Sequence, residues 1–410
     1  MRILYINHYA GSPSHGMEYR PYYLAREWVR SGHEVTIVAA DHSHLRFQQP
    51  QLGCGKRLDE IIEGIKYTWL GTTAYRGNGL GRVRNIGAFI YRLYREARQL
   101  SMECKPDVVI ASSTYPMDIW PAQRIAGLSN ARLVFEIHDL WPLTPMELGG
   151  MSRWHPFIMV AQAAENHVYR KAGAVVSMLP KVHEYVQTRG MQGERLHIVP
   201  NGVAPQEWPA QLPQLDEAIG SRLAELSRAG FAIVGYSGNH GISNSLDTLL
   251  HAARIMRDEK VAFVLVGDGP EKDGLKRWVQ DEQLHHVHFI DPVVKAQIPA
   301  LLQWFDLAYI GWQRQPLYRF GIAPNKLMDY MMAARPVLHA VEAGNDPVGE
   351  AACGLTVAPE NPEALVQGIR TLVALGSGER KAMGERGKAY VLSNFTYPIL
   401  SERFLAACAG

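Results

Sequence analysis

The sequence predicts an α/β protein made of two doubly wound parallel-sheet domains. Three observations point there. The chain has 410 residues, and single cores stop growing at about 250–300 residues, so about two domains are expected. Short β-branched runs alternate with longer stretches of helical periodicity, as in parallel strands joined by crossover helices. That alternation also stops and restarts once, near the middle of the chain.

The first series places strands at residues 3–6, 35–38, 108–111, 133–137 and 175–178, with helices at 22–31 and 85–103 among the connections. The second places strands at 233–236, 262–266, 286–290, 307–310 and 337–339. These runs are almost continuously apolar, which fits strands covered on both faces. Between the series lie the turn Asn201-Gly202 and Pro205, Pro209 and Pro213, followed by a helical pattern at 215–229. Proline and glycine punctuate the chain in this way at linkers, and the domains are read as 1–204 and 205–393. Ligands of open α/β sheets bind beyond the carboxyl ends of the strands, so the expected site is a cleft that the two domains face across.

Composition narrows the class. The hydrophobic share of 47% and charged share of 20% fit a folded globular chain. A net charge of +2 creates no global field for nucleic acid, which is not an expected partner. Cys54, Cys104, Cys353 and Cys408 are scattered and form no CxxC pair, which fits free thiols in a reducing compartment. The apolar start Met1–Ile6 turns polar at Asn7, too soon for a signal peptide. No run of about 18 apolar residues suggests a membrane span. The expected location is cytoplasmic.

The most informative stretch is Tyr318–Val337. Pro324 suits the first turn of a helix, where its missing N–H is not needed. Gly321 and Ala323 before it let a ligand approach the backbone. Helix-start N–H groups bind anions such as a diphosphate, and Asn325 follows at that start. Lys326 and Asp329 are three residues apart and share a helix face. A lysine beside phosphate and a carboxylate beside ribose hydroxyls would suit a nucleotide, and an ordinary surface ion pair fits the same spacing.

His138 and Asp139 end a predicted strand, where a sheet presents functional groups. His138 can hydrogen-bond a sugar hydroxyl, and Asp139 can orient the ring or cap a turn. The first strand runs into a long loop with Gly11, Pro13 and Gly16. It lacks the GxGxxG spacing, which argues against a dinucleotide and hence against a dehydrogenase. Gly238 and Asn239 follow the first strand of the second series, and Gly267-Asp268-Gly269-Pro270 is a strong turn signal.

These motifs, in this order, resemble the retaining glycosyltransferases of the family-4 type with the GT-B fold, in which two Rossmann-like domains face each other. More narrowly, the chain is similar to bacterial enzymes of surface-polysaccharide synthesis, including N-acetylfucosaminyltransferase-like members. The resemblance runs from the first glycine loop through Arg30–Val35, His138-Asp139, Val199–Val203, Gly238-Asn239 and Gly267–Pro270 to Pro324–Val337. It implies an acceptor-side first domain completed by a C-terminal helix at 394–410, and a donor-binding second domain. It implies that His138 contacts the transferred sugar, and with the reading of the residues the catalytic candidates are His138, Asp139 and Lys326. For the donor it implies Gly16, Ala323, Pro324, Asn325, Lys326 and Asp329, to which the residues themselves add Gly238, Asn239 and Arg319. The substrate would be a nucleoside-diphosphate sugar, UDP-linked by expectation, with no cofactor and no metal. The acceptor would be a glycan or a polyprenyl-diphosphate-linked glycan. Two departures stand out. Gly321 occupies the first carboxylate position of the family's E-x7-E motif, and His240, Ser243 and Asn244 stand where an Arg and Lys pair is usual, so Arg319 or Lys326 is expected to supply the charge.

The segment from Tyr75 to Lys105 is arginine-rich and carries an apolar stripe of Ile86, Phe89, Ile90, Leu93, Ala97 and Leu100. The stripe reads as packing on the sheet. Arg76, Arg82 and Arg84 are candidates to meet the acceptor or an anionic membrane surface, which would place the protein peripherally on the inner face of the plasma membrane. Two other readings remain open at the level of sequence: a nucleotide-sugar epimerase of the same fold, and a non-catalytic nucleotide-sugar-binding subunit.

Overall fold

The computed structural model describes residues 1–53, 55–77 and 79–409. The chain divides into two compact units, Met1–Asn201 with Tyr397–Gly410, and Gly202–Thr396. The break falls a few residues away from the expected 204/205 and 393/394. The Val203 N–H donates to the Phe395 carbonyl, and Val203 is buried in the core of the second unit.

In the first unit the strands are β1 (Arg2–Ile6), β2 (Glu34–Ala40), β3 (Arg57–Ile62), β4 (Ile65–Leu70), β5 (Val108–Ala111), β6 (Arg132–Ile137), β7 (Ala174–Ser177) and β8 (Leu196–Ile198). Their order is β3-β4-β2-β1-β5-β6-β7-β8. All pairs are parallel except the β3–β4 hairpin. Sequence reading missed that hairpin and the edge strand β8. The turn signal was Glu63-Gly64, whose φ values of 48° and 81° match a tight hairpin turn. Polar Asp59 and Glu60 masked β3, which is only half covered.

The helix Leu80–Cys104 buries Ile86, Phe89, Leu93, Ala97 and Leu100, and it packs against the helix Ile119–Ser129. The C-terminal helix Tyr397–Ala409 packs on β6, β7 and the helix Arg20–Arg30. There Phe404 meets Trp28 edge to face at 5.2 Å, and Trp28 Nε1–H donates to the Ser401 carbonyl at 3.2 Å.

The second unit contains β9 (Ala232–Ser237), β10 (Val261–Val266), β11 (Val287–Ile290), β12 (Leu307–Gly311), β13 (Val337–Ala340) and β14 (Gly354–Val357). They form a parallel sheet of order β11-β10-β9-β12-β13-β14. Alternate residues of β10 enter opposite cores: Ala262, Val264 and Val266 on one face, Val261, Phe263 and Leu265 on the other. A strand buried on both faces must be apolar throughout, which is why β10 was legible. In each unit the strand order reverses beside the first strand, at β1/β5 and at β9/β12. Open α/β sheets present their ligand sites at such points.

Cys104, Cys353 and Cys408 are free thiols, and Cys54 lies outside the described residues.

Candidate functional site

At the β9/β12 reversal the backbone leaves β9 through Gly238, with φ 151°, while β10 ends at Gly267, with φ 141°. Both values lie where side chains are disfavoured. The two loops also touch, since a Cβ on Gly267 would stand 1.9 Å from the Gly238 carbonyl oxygen. Against Gly238 lies Lys326, from the first turn of the helix Asn325–Met332. Its Nζ donates to the Tyr236 hydroxyl at 2.8 Å and the Asn244 Oδ1 at 2.7 Å. It also sits 4.4 Å from the Tyr236 ring centre. Burial pushes the Lys326 ammonium down to about 7. A half-buried cation with only neutral partners is one that an incoming anion would stabilise.

No side chain caps the start of this helix at Pro324. The loop before it is pinned by Asn345, whose amide accepts from the Ile322 N–H at 2.8 Å and donates to the Ile322 carbonyl at 3.0 Å. Ala323 and Pro324 are half-buried and Asn325 is exposed. Asn239 is exposed too, and its main-chain carbonyl accepts from the Tyr236 hydroxyl at 2.6 Å.

Lys326 and Asp329 form no ion pair with each other among the described residues, so the simple surface-pair reading fails. Asp329 is raised to about 7 by burial, with Lys295 and Glu207 as its charged neighbours. Those two form their own ion pair at 2.8 Å. The same helix therefore sends Lys326 to the end of β9 and Asp329 towards the loops bearing Glu207 and Lys295.

The side chains nearest Gly238 are Lys326 and Tyr236, and Arg319 is not among them. Its guanidinium donates to the Pro316 carbonyl at 2.6 Å and lies 4.3 Å from the Phe320 ring centre. His240 is pushed down to about 4 by burial and then by Lys272, and so is neutral near pH 7. Lys326, braced by Asn244, is the cation in that position.

The β1/β5 reversal of the first unit holds His138. Its Nε2 lies 2.8 Å from the Ser112 Oγ and 3.2 Å from the Glu136 Oε2. Glu136 is fully buried and ion-paired with the equally buried Arg20 at 2.8 Å. It also accepts from the Tyr5 and Ser112 hydroxyls, both at 2.6 Å. Burial opposes its charge, but Arg20 and then His138 outweigh that and hold the carboxyl well below the usual range.

Asp139, expected to act with His138, does not meet the ring. Its carboxylate accepts from the Leu140 N–H at 2.8 Å, the Thr144 hydroxyl at 2.6 Å and the Trp141 Nε1–H at 3.3 Å. It is committed to the turn after β6. Sequence reading missed Glu136, Ser112 and Arg20. A carboxylate inside a buried strand was the available signal, since buried charge requires a partner. Gly16, with φ 104°, bridges to Ser12 and Arg46, and a Cβ there would stand 2.7 Å from Phe47 Cδ1. Gly16 therefore shapes the first loop.

Residues 15–202 match the family of glycosyl transferase 4-like domains, and residues 232–374 match glycosyl transferases group 1. The chain is 24% identical over 366 residues to the Escherichia coli K12 protein named colanic acid biosynthesis glycosyl transferase WcaI, covering 85% of this chain and 86% of that one. Anabaena HepE, solved with UDP and glucose, shares its fold at a TM-score of 0.67 and 15% identity, with 100% of both chains covered. Sucrose-phosphate synthase from Thermosynechococcus elongatus does so at 0.74 and 14%, covering 99% of this chain and 98% of that one.

The chain belongs to the family-4 type of GT-B glycosyltransferases.

On this glycosyltransferase the three arginines upstream of the stripe divide. Arg76 and Arg84 are exposed, whereas Arg82 donates to the Tyr9 hydroxyl at 3.1 Å and lies over its ring. Exposed Leu80 and Val83 lie beside them in sequence. A cavity of about 700 Å³ in the second unit lies by Asp306 and Pro336, where β12 and β13 begin, at the opposite end of the sheet from Gly238 and Lys326. Among the described residues no group of three or more His, Cys, Asp or Glu side chains is placed to hold a metal ion. No helix among them is long and apolar enough to cross a membrane.

Proposed function

We propose that this glycosyltransferase moves a sugar from a nucleoside diphosphate, UDP by preference, to a glycan or polyprenyl-diphosphate-linked acceptor in bacterial surface-polysaccharide synthesis, with retention at the anomeric carbon. The observation that carries the donor reading is Lys326. It sits at the sheet reversal, on Gly238, beside an uncapped helix start, and its contacts in the protein are neutral. UDP in the HepE structure and the colanic acid role in the name of WcaI support the donor and the pathway class.

In this reading the bond between the anomeric carbon and the diphosphate oxygen breaks as the bond to the acceptor oxygen forms on the same face. The acceptor proton passes to the leaving diphosphate. Lys326 and the helix-start N–H groups at Asn325 stabilise the charge that grows on that leaving group. Asp329 holds the ribose hydroxyls, and His138 contacts the transferred sugar. Arg76 and Arg84 take the acceptor diphosphate or an anionic lipid surface.

The test is a panel of nucleotides and nucleotide sugars in thermal shift, because a ligand that binds the folded state raises its melting temperature. Turnover of the best donor then follows, with product configuration read by NMR. Stabilisation by UDP and an α-to-α product are expected. Isomerised donor without acceptor would indicate an epimerase, and an inverted product would exclude retention. Charge stabilisation is assigned to protein groups, so turnover should survive chelation with EDTA; loss restored by a divalent cation would overturn that part.

A further inference from the structure

The hydrogen-bond network around His138 determines which of its ring nitrogens faces the site. The Ser112 hydroxyl has one proton, and it donates that proton to Glu136 Oε2 at 2.6 Å. Its oxygen can then only accept from His138 Nε2, 2.8 Å away. Glu136 Oε2 lies 3.2 Å from the same nitrogen. As a carboxylate held ionised by Arg20, it too can only accept. A lone pair on Nε2 would face two oxygens with no proton between them, so Nε2 carries the hydrogen. No described residue is hydrogen-bonded to Nδ1, and the side chain is 11% exposed.

We infer that Glu136 is the positioning residue of His138: with Arg20 keeping it charged and Ser112 relaying, it fixes the neutral ring as the Nε2–H tautomer and turns the Nδ1 lone pair to the sugar. His138 then acts as a hydrogen-bond acceptor from a sugar hydroxyl. Arg20 also braces the main chain. Its guanidinium donates to the Val199 and Pro200 carbonyls at 2.7 and 2.6 Å, on the segment that ends the first unit. The inference rests on the proposed role of His138 only for its effect on turnover, since the tautomer is a property of the ring itself.

The experiment is long-range proton–nitrogen NMR on the full chain labelled at histidine, above the range in which an unperturbed imidazole is protonated. His138 is assigned from the peak lost in His138→Gln. The expected spectrum has a protonated Nε2 and an unprotonated Nδ1, and an Nδ1–H ring in the wild type would overturn the inference without any variant. Glu136→Gln removes the charge that selects the tautomer. It should yield a mixed or mobile ring and lower kcat by about tenfold or more while the donor KM stays within about twofold. An unchanged ring in this variant would also overturn the inference. Should Glu136→Gln fold poorly, Ser112→Ala leaves the Arg20–Glu136 pair intact. It should keep Nε2–H, and a switch to Nδ1–H there would place the control in Ser112 instead. If the ring behaves as expected but His138→Ala turns over normally, the catalytic role of His138 fails while its positioning by Glu136 stands.

Discussion

Lys326 meets a hydroxyl and an amide oxygen where a surface lysine would meet water, and the consequence is a pH dependence with a definite sign. In the free protein burial lowers it to about 7. A bound diphosphate favours the charged form and raises it again. Donor affinity is therefore full below about pH 7. Above that it falls by up to about tenfold per unit until the pKa of the complex is reached. Binding at pH 8 should take up a proton, seen by calorimetry in buffers of different ionisation enthalpy; no uptake would separate Lys326 from the diphosphate. Lys326→Ala should weaken UDP binding about 10- to 100-fold, since a charged hydrogen bond contributes roughly 1.5–3 kcal/mol. Asp139→Asn, in contrast, loosens a turn and should lower stability more than it alters kcat, which parallel melting and rate measurements would check.

Two short connections set the geometry around Gly238 and the helix Asn325–Met332. The turn after β10 cannot accept a side chain at Gly267, because a Cβ would overlap the Gly238 carbonyl and φ is 141°. Gly267→Ala should cost about 2 kcal/mol or more in a denaturant titration. It should also weaken UDP binding, because Gly238 carries the contact with Lys326. The loop before the helix Asn325–Met332 is held by the paired hydrogen bonds of Asn345 to Ile322. Asn345→Ala removes both. A loss of about 1–3 kcal/mol is expected, with donor KM rising more than kcat falls. Unchanged KM would mean that this loop does not shape the donor site.

At the scale of the whole molecule, the chain's two ends share one core. The helix Tyr397–Ala409 brings fully buried Leu400 and Phe404 onto Trp28 and β6. Each such side chain contributes about 1.5–3 kcal/mol by burial. Deleting residues 397–410 should therefore destabilise the first unit by at least about 3 kcal/mol and expose Trp28 to quenching. The basic surface has its own test. Wild-type protein should co-sediment with vesicles containing anionic lipid, and Arg76→Glu with Arg84→Glu should lose that binding while UDP still binds. No binding by the wild type would remove the membrane from the proposal.

The sequence by itself determined the elements whose chemistry is local. Strands such as β10 and β12 are apolar on both faces because both faces are buried, so their runs stand out in one dimension. Pro324 and the Gly238 and Gly267 turns declare backbone geometry directly, and the ordered motifs between Gly16 and Pro336 sufficed to suggest the family. Edge strands β3, β8 and β14 were not legible, because a half-covered strand tolerates polar residues and loses its pattern. The partners of functional groups were illegible for another reason: they are far apart in the chain. Only the folded sheet brings Arg20 to Glu136, across 116 positions, or Asn244 to Lys326, across 82. Adjacency suggested Asp139 for His138 or for a turn, and Arg319 or Lys326 for the donor charge. The structure sets Glu136 against that ring, because residues two apart along an extended strand share a face. It sets Lys326 against Gly238, while Arg319 lies on its own turn. Which side chains meet is decided by the direction each takes in the fold and not by order along the chain.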